Sequence, residues 1–150
     1  MIDPSNPVVA LCAEGMALDG SPADALRCFE RAWAARRDDY DAAVAAHYLA
    51  RHQPTVGDRL HWNTVAAQHA EAVTDGRAHA FFASLYLNLA DSQAEAGEAA
   101  AARESLERAV MGLSAVPPGG YRQLMMGGVE RLRAKLGKVE PDRVEPKGDV

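Results

Sequence analysis

Apolar residues recur along this chain at helical spacings, in short segments bounded by residues that start or stop helices. Asn6-Pro7 opens the first segment, with proline at a helical position where its missing N–H costs nothing. Val8, Val9, Cys12 and Met16 follow, and Asp19-Gly20 ends the run. Ser21-Pro22 opens a second helix with a capping serine and a first-turn proline. It carries Leu26, Phe29, Ala32 and Trp33 and closes on Arg36-Arg37, cations suited to a helix C-terminus. Asp38-Asp39 starts a third, with Val44, Tyr48 and Leu49, which stops before Pro54.

The pattern continues after a connector at Gln53 to Gly57. A fourth helix begins near Asp58 and holds Leu60, Trp62, Val65, Ala66, His69 and Val73, and Thr74-Asp75-Gly76 reads as a turn. The fifth runs from about Arg77 to Ala96, carries Phe81, Phe82, Leu85 and Leu89, and ends on Gly97. The sixth starts at Glu98 and sets Leu106, Ala109, Val110 and Leu113 on one stripe. Glu104 and Arg108 stand at the i,i+4 spacing of a surface ion pair. Val116-Pro117-Pro118-Gly119-Gly120 breaks the chain. A seventh helix holds Tyr121, Leu124, Met125, Leu132 and Leu136. Its Gly127-Gly128 pair predicts a kink or the close approach of a neighbour. Residues 137–150 lose all periodicity and read as a disordered tail.

Composition narrows the picture. The chain has 30 alanines among 150 residues, and only 6% aromatics. Alanine favours helices and disfavours strands, so an all-β fold is excluded. A net charge of −5 without a basic stripe argues against nucleic acid as a partner. Cys12 and Cys28 lack metal or redox spacing and suit a reducing compartment. The N-terminus carries Asp3 and no basic residue ahead of its apolar stretch, unlike a secretory signal. The longest charge-free apolar run, Ala78 to Ala90, is too short for a membrane span. The expectation is a cytoplasmic protein without a membrane partner.

Small residues also recur at matched columns. Counted from residue 6, they fall at Ala13, Gly20, Ala25 and Ala32, with Phe29 between the last two. Counted from residue 83, the same columns hold Ala90, Gly97, Ala102 and Ala109, with Leu106 in place of Phe29. Tyr86, Leu89 and Ala90 complete the second set. This pattern resembles the tetratricopeptide repeat, a helix–turn–helix unit of roughly 34 residues. The first unit has Val9, Cys12 and Met16 where the family has an aromatic, leucine and tyrosine. Arg37 and Ser114 stand in the family's proline column. The middle unit is longer, and has Pro54 and Arg59 where glycine and alanine are expected.

The resemblance implies an all-α fold, a right-handed superhelix of antiparallel helix pairs. One domain would span residues 1–136, with repeats at about 6–39, 40–82 and 83–116 and a capping helix at about 120–136. It also implies a concave groove lined by the first helix of each pair. Mapped onto this chain, the groove receives Glu14, Ala17 and Leu18, then Val44, Tyr48, Arg51 and His52, then Leu87, Asn88, Asp91 and Glu95. The candidate binding set is Tyr48, Arg51, His52, Leu87, Asn88, Asp91 and Glu95, with Asn88 in the family's ligand-bonding asparagine column. The expected partner is another protein or a peptide segment. With Glu14, Asp91 and Glu95 counted, a basic or neutral segment fits the groove's sign.

Catalytic chemistry finds little support. No histidine has glutamate three residues before it; His61 has only Asp58, and no His/Cys cluster has metal spacing. Ser84, Ser92 and Ser105 lie in helices without the glycines of a nucleophile elbow. Trp33 and Trp62 lie on apolar faces as core residues. The reading is a non-enzymatic scaffold without cofactor or metal. Two rivals are a homodimer through the terminal helix, near Met125 and Met126, and a small-molecule sensor or enzyme using a pocket inside the superhelix.

Overall fold

A computed structural model describes residues 3–18 and 20–138. Among these the chain is all-α. The helices are α1 (Pro7–Met16), α2 (Pro22–Ala34), α3 (Asp39–Arg51), α4 (Val56–Ala72), α5 (His79–Glu95), α6 (Ala99–Gly112) and α7 (Gly120–Gly137). A 3-10 turn, Leu113–Ala115, follows α6. Residues 139–150 of the expected disordered tail lie outside the described residues.

Local hydrogen bonds account for most helix ends. The Asn6 side chain accepts from the backbone N–H groups of Val8 and Val9 at the head of α1. Asp38 accepts from Asp41 N–H at the start of α3. Thr55 accepts from Asp58 N–H and starts α4 two residues before its expected beginning. Ser21, expected to cap α2, makes no capping bond; its hydroxyl donates to the Asp24 carboxylate instead. After α5, Gly97 takes φ +82°, Gly97 N–H donates to Ala94 C=O, and Glu98 N–H donates to Gln93 C=O. These are the two bonds that close a glycine-terminated helix.

Each helix packs on its neighbours in sequence, and α1 also touches α3 as α5 touches α7. Alanine permits this closeness. Ala25, Ala32, Ala45, Ala46, Ala66, Ala70, Ala90, Ala102 and Ala109 are almost wholly buried at helix contacts. Large side chains fill the remaining gaps. Phe29 is fully buried, and Leu106 packs with Ala90, Ala102, Val129 and Leu132. Trp33 and Trp62 meet edge to face at 5.0 Å, in the core as expected.

One small-residue position differs from expectation, and one glycine pair meets it. Ala13, assigned to a tight contact, is exposed; Gly15 makes the close approach instead, and a Cβ there would stand 2.5 Å from the Phe29 ring. In the Gly127-Gly128 pair, α7 runs on without interruption. The close neighbour is Leu87, 2.7 Å from where a Gly128 Cβ would be. Ala90→Leu is therefore expected to overpack the core and cost about 1–3 kcal/mol. Ala13→Leu is expected to leave the thermal melt unchanged. Equal melts for the two variants would refute this packing.

Candidate functional site

The faces of α3, α5 and α7 converge on one cleft. On α3, Tyr48 and Arg51 lie three residues apart, on one side of the helix. On α5, Phe81, Ser84, Asn88, Asp91 and Glu95 follow at alternating spacings of three and four. The cleft between them has a volume of about 480 Å³, with Met16 of α1, Arg59 and Asn63 of α4, and Tyr121, Leu124 and Met125 of α7 completing its walls.

Tyr48, Arg51, Asn88, Asp91 and Glu95, taken from the repeat columns, thus line one cavity. Leu87 lines an adjoining recess with Asn88, Asp91, Gly128, Arg131 and Lys135. His52 lies away from the cleft, its ring 5.0 Å from that of Phe29. Val44 lines a third, mostly apolar recess with Cys12, Met16, Tyr48 and Phe81.

A polar network forms the cleft floor. Asn63 Nδ2 donates to Ser92 Oγ at 2.6 Å, and Ser92 Oγ donates to the Asn88 carbonyl at 3.0 Å. Asn88 Nδ2 meets His47 Nδ1 at 3.4 Å. His47 is buried, its ring edge-on to Phe81 at 4.9 Å. Burial, and then the positive charge of Arg51, push its pKa down to about 3. The imidazole is therefore neutral near pH 7. His47 lines the cleft. Burial also raises the Tyr48 hydroxyl above the ordinary tyrosine range, so it remains a neutral hydrogen-bonding group.

Charges along the cleft are partly paired. Arg59 Nη2 binds Glu95 Oε2 at 2.9 Å. Arg51 and Asp91 make no ion pair among the described residues. On the opposite side of the helices, Arg108 binds Glu71 of α4 and Tyr86 of α5. The i,i+4 partner expected from sequence, Glu104, is not its ion-pair partner. Tyr86 also donates to Glu71, so a hydroxyl and a carboxylate together draw the guanidinium across to α4.

Several cleft residues escaped the sequence reading. His47 and Asn63 carry no local signal, since only tertiary contact brings them to Asn88 and Ser92. The α7 residues did carry one. Tyr121, Leu124, Gly128, Arg131 and Lys135 repeat the spacing of Phe81, Ser84, Asn88, Asp91 and Glu95, so one face of α7 mirrors the lining face of α5.

Cys12 and Cys28 are buried free thiols, and burial pushes the Cys12 pKa up to about 12, which leaves it an unreactive thiol. Among the described residues, no three of His, Cys, Asp or Glu are grouped to hold a metal ion. No described helix is long and apolar enough to cross a membrane. No protein-family model, curated protein or solved structure matches the chain.

Proposed function

We propose that this chain is a non-catalytic scaffold of tetratricopeptide-like repeats that binds a peptide or partner-protein segment in its concave groove. One observation carries the reading. Residues picked from repeat columns on α3 and α5, Tyr48, Arg51, Asn88, Asp91 and Glu95, line a single cleft. The groove walls are helix faces with packed backs, so the surface is ready-made and binding needs little rearrangement.

Tyr48 offers an aromatic anchor. Asn88 offers hydrogen bonds to an extended backbone. Such an arrangement suits recognition of a segment in which one large side chain seats in a pocket and the main chain is held beside it.

Pull-down from source lysate with wild type and Tyr48→Ala/Arg51→Ala tests the reading. The double variant is expected to lose its partners by about tenfold or more. Arg51→Glu alone, at an exposed position, keeps the result independent of any change in folding. Partners retained undiminished by both variants would place binding elsewhere.

A second reading is a homodimer through the terminal helices. Met111 at 74% and Met126 at 49% exposure favour it, as large apolar side chains on α6 and α7 open to solvent. Light scattering across a concentration series decides it. A dimer predicts a mass that doubles with concentration; a constant monomer mass rejects it.

A further inference from the structure

The cleft is the middle of a longer groove. It shares Met16, Tyr48, Phe81 and Tyr121 with the apolar recess, whose volume is about 340 Å³. It shares Asn88 and Asp91 with the recess against α7, of about 370 Å³. The three recesses therefore adjoin one another, from an apolar end at α1 to a polar end at the second half of α7.

Its charges do not balance. At the apolar end the charged lining residue is Arg77, which is held by Asp38 at 3.1 Å and Asp75 at 2.8 Å. In the middle, Arg59 cancels Glu95 at 2.9 Å. Four charged lining residues then remain without an ion pair among the described residues: Arg51, Asp91, Arg131 and Lys135. Three cations stand against one carboxylate, in a chain whose net charge is −5. A local surplus opposite in sign to the whole molecule selects and steers an oppositely charged partner.

The repeat columns pointed to the opposite sign for three reasons. They counted Glu14, which is exposed on α1 and does not line the groove. They counted Glu95 without Arg59. They also left out α7, which contributes Arg131 and Lys135.

We infer that the segment held in this groove is acidic and carries a large apolar side chain, which seats among Val9, Val44 and Phe81 while its carboxylates face Arg51, Arg131 and Lys135. This inference rests on the groove reading above and specifies its ligand. Selection from a displayed library of random peptides, about a dozen residues long, against the intact chain tests it. Wild type is expected to enrich peptides of net negative charge with a leucine, phenylalanine or methionine. Affinity for an enriched peptide is expected to fall about tenfold in Arg131→Glu/Lys135→Glu and to weaken with added salt. Both changes lie at exposed positions, and an unchanged thermal melt verifies the fold. Enrichment of basic or neutral peptides overturns the inference, as does acidic binding indifferent to the charge reversal. In either case, loss of binding in Tyr48→Ala/Arg51→Ala leaves the groove reading standing. No enrichment of any peptide overturns both.

Discussion

Phe29→Ala is expected to destabilise the chain by about 4 kcal/mol, the middle of the range for truncating a buried aromatic. The loss corresponds to a fall in melting temperature of about 10 °C for a domain of this size. Phe29 is fully buried on α2, where its ring fills the space left open by Gly15 of α1. It stacks on Tyr48 at 5.5 Å and meets the tilted ring of His52 at 5.0 Å. Removing the ring leaves a cavity walled by three helices, and rigid helices close such a space poorly. The effect also reaches the groove, because Tyr48 leans on Phe29 from the cleft side. The proposed peptide binding should weaken together with stability. Thermal denaturation followed by circular dichroism measures the first effect, and Phe29→Leu should recover more than half of it. A melt within about 1 kcal/mol of wild type for Phe29→Ala would mean the ring does not hold these helices together.

Asp41→Ala is expected to cost about 2–3 kcal/mol, because it removes hydrogen bonds to a buried charge and leaves a buried amide unpaired. Asp41 is fully buried at the start of α3. Its Oδ1 accepts from Asn6 Nδ2 at 2.6 Å, and its Oδ2 accepts from Arg37 Nε at 2.9 Å and Arg37 N–H at 3.1 Å. One carboxylate thus fastens the head of α1 to the α2–α3 junction. Arg37 is largely open to water and rehydrates when freed, so the cost stays below that of breaking a fully buried pair.

The same carboxylate gives the effect a pH signature. Burial alone would raise its pKa; the bonds from Arg37 and Asn6 outweigh burial and hold it below the ordinary carboxylate value. A carboxylate with a depressed folded pKa stabilises the fold above its unfolded pKa of about 4. That stability is lost as pH falls through the folded value. Wild type should therefore lose its advantage over Asp41→Ala below about pH 4 and keep it undiminished at pH 7. Urea denaturation at both pH values measures this. A difference between the two proteins that does not change with pH would show that Asp41 acts by shape and not by charge.

The fold was readable to different depths in different places. Proline at first turns, capping Asn6 and Asp38, and terminating Gly97 lie within a few residues of the ends they define. Helix identity and approximate bounds followed from them. Ser21 shows where that local logic stops: its hydroxyl donates to the Asp24 carboxylate and accepts no bond from the first N–H groups of α2. Column spacing placed Tyr48, Arg51 and Asn88 on faces that line one cleft, since a helical face is a matter of periodicity. The same rule misplaced Ala13. Which of several small residues takes the close contact depends on how two helices rotate against each other, and Gly15 took it.

The sequence by itself determined an all-α chain, its punctuation and the sides of α3 and α5 that line one cleft. These depend on hydrogen bonds and periodicities spanning one or two helical turns. Only the tertiary structure decided the charge partners and which charged residues line the cleft unpaired. Asp41 with Asn6, Arg59 with Glu95 and Arg108 with Glu71 are pairs joined across 35, 36 and 37 positions of chain. Whether a carboxylate repels a ligand or is already neutralised depends on which helix comes within about 3 Å of it, and that distance is set by packing rather than by neighbours in sequence.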